Sequence, residues 1–295
     1  MKPLILPQFI AEVSSNHHRD LTRCCDFIDT AARIGCDAVK FQLFKIDQLF
    51  APEILAKSEA ARKRKDWELP LAFLPELAQR SHEQGIQFSC TPFYLDAVAE
   101  LEPHVDFYKI ASYELLWDDL IRACARTGKP LILSTGMATL PEIQHAVDSA
   151  HDAGCAELTL LHCISGYPTP PQECNLAAIH TLRTACGCAV GWSDHSVNPA
   201  VLYRAIHAWG ASTIEFHLDL EGEGEEFATG HCWLPAQMQE VIEMVKTSLT
   251  ADGNGDKQPA PCELSDRDWR ADPTDGLRPL KQHRATLSAE QDHPE

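Results

Sequence analysis

Apolar residues along the chain follow two alternating rhythms. Short, nearly continuous apolar runs fall at 9–13, 38–42, 87–90, 107–110, 131–134, 158–162, 189–192 and 213–217. Runs of that length and density suit parallel strands covered on both faces. The segments between them, such as LTRCCDFIDTAARIG and NPAVLYRAIHAWG, repeat their apolar positions at helical spacing. Several end in glycine, which takes the left-handed conformation of a helix C-cap without strain. Eight strand–helix units over roughly 250 residues predict an α/β fold, a (β/α)8 TIM barrel with its active site at the carboxyl ends of the strands. The expected organisation is a barrel over 1–250 and a polar tail over 251–295, rich in turn residues, with no independent domain. The connection 43–70 is longer than a minimal one, and its charged stretch AKSEAARKRKDWE reads as a solvated helix.

Polar residues break the apolar pattern at the same end of each run. In chain order these strand ends carry Glu12; Lys40 and Gln42; Thr91; Lys109, Ser112 and Glu114; Ser134; His162, with Ser165 and Tyr167 in the following loop; Ser193 and His195; Glu215 and His217. Side chains alternate along a strand, so Lys40 and Gln42 share a face, as do Glu215 and His217. Lys109 sits inside the run VDFYKIASYE, where burial of an unpaired ammonium is costly. Two lysines and several hydroxyls converging on one barrel mouth make an anion site, and the negative charge of a ligand is the expected partner of the lysines.

Composition narrows the setting. The chain has 295 residues, 44% of them hydrophobic, enough for a full core, and a formal net charge of −18. That charge argues against nucleic acid or an anionic membrane surface as a general partner. The opening MKPLILPQFIAEV holds too short an apolar run for a secretory signal, and no stretch reaches membrane-spanning length, so a cytoplasmic location is expected. Twelve scattered cysteines, several within predicted strands and helices, read as reduced small apolar side chains. Cys174, Cys186 and Cys188 lack the second pair that a zinc site needs.

The stretches IAEVSSNHHRD, GCDAVKFQLFK, FSCTPF, FYKIASYEL, TGKPLILSTGMATLPEI, LLHCISGYPTP, VGWSDHS and IEFHLD follow one another between residue 10 and about residue 220. In that order and spacing they make the chain similar to the sialic acid synthases, which condense phosphoenolpyruvate with an N-acetylated hexosamine. The resemblance implies that Lys40, Lys109, Ser112, Ser134 and Ser193, with Thr91 beside them, hold the phosphate and carboxylate of phosphoenolpyruvate. It implies that His195 and His217 bind a divalent metal, Mn2+ or Mg2+, and that Gln42 and Tyr167 meet the sugar. Glu12 and Glu114 fall at the reacting centre, with Glu114 the first choice for handling a proton. The residue types suit that chemistry. A dry pocket for a phosphate and a carboxylate needs fixed positive charge and hydroxyl donors, and a metal on imidazoles can polarise an aldehyde oxygen.

The chain departs from the family's pattern in several places. SSNHH puts Ser14 and Ser15 where the family has a glycine and asparagines, and Gly230 stands before His231 where an aspartate is usual; Glu225 or Glu226 could substitute. The family's C-terminal antifreeze-like domain, which lends an arginine to a partner's site, has no counterpart, leaving Arg270 or Arg278 as replacements and Trp269 and Leu277 as docking residues, or else a mobile tail. A homodimer is the expected assembly. Two other functions stay in view: a Schiff-base aldolase or lyase of an α-keto acid using Lys109 or Lys40, and a non-catalytic carbohydrate-binding relative.

Overall fold

In the computed structural model, which describes residues 6–291, the side chains of 287–291 excepted, every apolar run is a strand. The strands are β1 (Gln8–Glu12), β2 (Ala38–Leu43), β3 (Gln87–Pro92), β4 (Phe107–Ile110), β5 (Leu131–Ser134), β6 (Leu158–Cys163), β7 (Ala189–Asp194) and β8 (Thr213–Leu218). They pair in sequence order, all in parallel, and β8 returns to pair with β1, which closes the barrel. A further strand, β9 (Cys232–Trp233), adds to β8 with Cys232 opposite His217. Two residues carry no readable period, so the sequence gives no sign of it. The first five residues, on which the expectation of no signal segment partly rests, lie outside the described residues. Among the described residues no helix is long and apolar enough to cross a membrane.

The helix Leu21–Ile34 shows how the pattern becomes structure. Cys24, Phe27, Ile28, Ala31 and Ile34 recur at helical spacing and are buried. Asp20 caps its start by accepting from the Arg23 amide, and Gly35, at a φ of 93°, ends it. The connection 43–70 corrects the expectation of one solvated helix. It forms three short helices, Ile46–Leu49, Pro52–Lys57 and Glu59–Lys63, and a 3₁₀ turn, Arg64–Trp67, because Ala51 gives way to Pro52 as a new N-terminus and Ser58 caps the next segment by accepting from the Ala61 amide.

Most of the core lies between sheet and helices, but a second apolar cluster, Ile10, Ala38, Phe107, Ile132 and Leu161, fills the inside of the barrel. Gly191 keeps this floor tight: a Cβ there would come within 2.2 Å of the Thr213 carbonyl oxygen and 2.8 Å of Leu161. Two residues further along each strand, alternation returns the side chains to the same interior. That next layer is Glu12, Lys40, Lys109, Ser134, Cys163, Ser193 and Glu215. The polar layer rests directly on the apolar floor.

The chain divides into two compact units, Met1–Leu249 and Thr250–Glu295. The second contains a 3₁₀ helix, Pro261–Trp269, and a helix, Lys281–Gln291. Its turn is held by Asp272, which accepts from the Lys281 amide at 2.9 Å, and by the Arg284–Asp275 ion pair at 3.0 Å. The Trp269 ring meets His283 edge-on. No disulfide links cysteines among the described residues, and Cys174, Cys186 and Cys188 are free thiols.

Candidate active site

The carboxyl ends of the strands surround a cavity of about 710 Å³. Its lining includes twelve of the residues that the sequence selects: Glu12, Lys40, Gln42, Thr91, Lys109, Ser112, Glu114, Ser134, Tyr167, Ser193, His195 and His217. Strand ends distant in sequence meet here because each contributes its inward positions to one layer.

The deepest part is a network of charges. Lys40 contacts the Glu12 carboxylate, donates to Thr91 Oγ1 at 3.1 Å, and lies 3.8 Å from Glu215. Lys109 Nζ is 3.1 Å from Glu215 Oε1, which also accepts from Ser193 Oγ at 3.1 Å. Lys40 is 1% exposed, Glu12 1%, Lys109 5% and Glu215 4%. Both lysines therefore have carboxylate partners within the protein, which corrects the expectation that only a ligand's charge would meet them. Glu215 carries no role in the sequence reading beyond its strand position, since alternation shows which face it shares but not which cation it reaches. Burial raises the Glu215 carboxyl, but Lys109 and Lys40 outweigh that effect and hold it below the usual carboxylate range. Burial also pulls the Lys40 ammonium below the usual lysine range, against the pull of Glu215. Glu12 accepts from the Ser14 amide at 2.8 Å and Gln42 Nε2 at 3.0 Å. It is placed as the charge partner of Lys40 rather than as a free carboxylate.

Beside this network are donors and acceptors that the described residues do not satisfy. The hydroxyls of Ser134 and Ser165 are buried without a hydrogen-bond partner. Gly136 lets Ser165 and Ser112 crowd the backbone: a Cβ there would stand 2.3 Å from Ser165 Oγ, 2.9 Å from Ser112 Oγ and 3.1 Å from Cys163 Sγ. Ser112 Oγ accepts from the Gly136 amide at 3.0 Å. Glu114, in the 3₁₀ turn Ser112–Glu114 after β4, has its Oε2 buried and unpartnered. Burial pushes its carboxyl up to about 7, with Lys109 opposing.

The opposite side of the cavity is aromatic and imidazole-rich. Tyr167 lies against His195, their ring centroids 4.2 Å apart, and meets His231 edge-on at 4.9 Å. His195 and His217 are 5.5 Å apart by centroid. The Ile164 carbonyl can only accept, so the His195 Nδ1 that meets it at 2.8 Å carries the proton and leaves Nε2 as a lone-pair donor. Burial lowers the pKa of His195 to about 3 and lowers that of His217, so both imidazoles are neutral at pH 7.

Two further segments contribute to the lining, and one carries Glu226, which with Glu225 is a candidate to stand in for the aspartate usual before His231. The short helix Glu225–Ala228 puts Glu226 at the rim, next to His217, His231 and Ser15, while Glu225 points to solvent. The connection 43–70 contributes Leu49, Phe50, Arg64 and Trp67 to the lining. The Arg64 guanidinium lies 5.5 Å from the Phe50 ring centre and 5.3 Å from that of Trp67. An arginine thus reaches the cavity from within the barrel unit, and a charge run that looks like solvated surface in sequence is partly cavity wall.

Known proteins are similar to this chain in sequence and in fold. N,N'-diacetyllegionaminic acid synthase of Legionella pneumophila is 31% identical over 274 residues, covering 86% of this chain and 76% of that one. Pseudaminic acid synthase of Helicobacter pylori is 30% identical over 273 residues, covering 88% of this chain and 80% of that one. The crystal structure of N-acetylneuraminic acid (sialic acid) synthetase from Leptospira borgpetersenii, in complex with citrate, superposes with a TM-score of 0.77 at 30% identity, over 88% of this chain and 90% of that one. The model of the NeuB family matches residues 27–257, which takes in seven of the eight barrel strands, and the chain belongs to that family.

Proposed function

We propose that this chain condenses phosphoenolpyruvate with an open-chain N-acylated hexosamine, similar to N-acetylmannosamine, to give a nonulosonic (sialic) acid and phosphate. One observation supports this most directly. The Ser134 hydroxyl, buried and without a hydrogen-bond partner among the described residues, lines the cavity that also holds Lys40 and Lys109. Orphaned buried hydroxyls call for oxygen acceptors from outside the protein, and a phosphate supplies several. The names of the relatives, synthases of legionaminic, pseudaminic and N-acetylneuraminic acids, support an amino sugar as the second substrate.

In this reading Lys40, Lys109, Thr91, Ser112, Ser134 and Ser193 hold the phosphate and carboxylate, while Gln42 and Tyr167 face the sugar. His195 and His217 fit a divalent cation, Mn2+ or Mg2+, since both are neutral and His195 keeps Nε2 free of its proton. When bound, such an ion would polarise the aldehyde oxygen. The π electrons of phosphoenolpyruvate form the new bond from C3 to the aldehyde carbon, whose oxygen takes a proton from solvent. Water then adds at C2 and gives one proton to Glu114, and the resulting C2 hydroxyl passes its remaining proton to the departing phosphate as the C2–O bond breaks and C2 becomes a ketone. Schiff-base chemistry is less well served, because both lysines are engaged by carboxylates.

The test is a phosphate-release assay with phosphoenolpyruvate against a panel of N-acylated hexosamines. One sugar class should release phosphate in step with its own consumption. Phosphoenolpyruvate binding without release would favour a non-catalytic relative, and borohydride trapping of an α-keto acid on Lys109 or Lys40 would favour the aldolase.

Gly136→Ala probes the hydroxyl cradle. The added methyl would overlap the Ser165 and Ser112 hydroxyls and push them aside, and it should raise KM for phosphoenolpyruvate by at least about tenfold, roughly 1.4 kcal/mol. Circular dichroism should show an unchanged fold, and an unchanged KM would remove the cradle from the anion site.

A further inference from the structure

Four potential metal ligands, His217, Glu226, His231 and Cys232, have donor atoms that all lie within 4.8 Å of one another. Three of them, His217, Glu226 and His231, line the cavity. Glu226 Oε2 is 3.2 Å from His217 Nδ1 and 3.7 Å from His231 Nε2. Donors around a first-row cation at about 2.0–2.2 Å in a tetrahedral shell stand roughly 3.3–3.6 Å apart, so these separations match the edges of a coordination shell. The other Glu226 oxygen accepts from the amide and hydroxyl of Ser15, at 3.1 and 2.5 Å. That anchors the carboxylate and leaves Oε2 facing the imidazoles. His231 is steadied on its far side by Thr229 Oγ1 at 2.6 Å from Nδ1. Ligands whose remaining atoms are held by hydrogen bonds are what a preorganised metal site requires.

We propose that Glu226 and His231 hold a divalent cation together with His217, so that the ion's protein ligands extend beyond the two imidazoles of His195 and His217. The proposal rests on the proposed function only for what the ion does, not for whether it binds. Three imidazoles, of His195, His217 and His231, and the Glu226 carboxylate form a donor set that prefers Zn2+ and Co2+ over Mn2+, and all three over Mg2+. Cys232 belongs to β9 and does not line the cavity, which leaves the cavity side of the ion open to water or substrate oxygen.

The experiment strips the full-length protein with a chelator and measures Mn2+ and Co2+ binding by titration calorimetry, with no substrate present. Wild type should take up one ion per chain. Glu226→Gln and His231→Ala should each weaken binding by at least about tenfold. Glu225→Gln, on the same short helix but pointing to solvent, should bind within about twofold of wild type. A thermal melt verifies the fold of each variant, and Glu226→Asp, which keeps the carboxylate, should retain more affinity than Glu226→Gln whether or not the loop is loosened. Unchanged affinity in both Glu226→Gln and His231→Ala, with loss only in His195→Ala and His217→Ala, would overturn the proposal and leave the ion on those two imidazoles alone. A chain that binds metal through Glu226 yet releases no phosphate would refute the proposed function and not this site.

Discussion

Lys109→Met is expected to lower stability by about 3–5 kcal/mol, because it strips a buried carboxylate of its closest cation. Glu215 is 4% exposed, and with Lys109 gone its remaining cation is Lys40 at 3.8 Å, itself engaged by Glu12. Glu215→Gln should be similarly damaging, for it leaves Lys109 buried without its carboxylate. The double variant Lys109→Met/Glu215→Gln should recover most of the loss, as removing both halves of a buried pair costs far less than removing one. None of the three should turn over substrate. Urea melts of the single and double variants decide the matter: additive losses would mean that the two side chains are not energetically paired. From sequence alone the reverse is expected, since a lysine awaiting its ligand could be replaced without harm.

Glu114→Gln should reduce turnover by about 10²–10⁴-fold, the range for losing a positioned proton carrier. Burial raises the Glu114 carboxyl to about 7, and a base that accepts a proton from water must be ionised. In wild type kcat/KM should therefore rise with pH through about 7 and level off above it, and the residual activity of Glu114→Gln should lack that limb. Stability gives an independent check. A carboxyl whose folded pKa lies above its unfolded value stabilises the fold below the unfolded pKa of about 4.3 and loses that contribution as pH rises through about 7. Glu114→Gln should accordingly melt above wild type at pH 8, with the gap closing towards pH 4. A wild-type profile flat between pH 6 and pH 8 would take Glu114 out of the proton transfer.

The barrel was legible in sequence because each strand is a dense apolar run and each helix an amphipathic one, signals that survive without knowledge of neighbours. The inward layer was legible for a related reason, because alternation fixes which residues share a face. Pairings across the layer were not. That Lys109 meets Glu215, or that Glu12 meets Lys40, depends on the angular positions of strands around a closed sheet, which no one-dimensional pattern encodes. His231 and Arg64 were hidden more deeply, and Glu226 was a candidate that could not be told from Glu225. They arrive on short helices and turns too brief for periodicity, and among exposed charges like Glu225 nothing local distinguishes the one that turns inward.

The apolar floor of Ile10, Ala38, Phe107, Ile132 and Leu161 also constrains kinetics. It seals one end of the barrel, so traffic passes through the opposite mouth. The lysine and serine layer lies immediately above that floor, whereas Tyr167, Arg64 and Glu226 stand nearer the opening. If phosphoenolpyruvate occupies the deeper layer, a sugar bound first would stand in its path. The catalytic cycle then has a compulsory order, with phosphoenolpyruvate loading before the sugar, and an excess of sugar acting as a competitive brake on the empty enzyme.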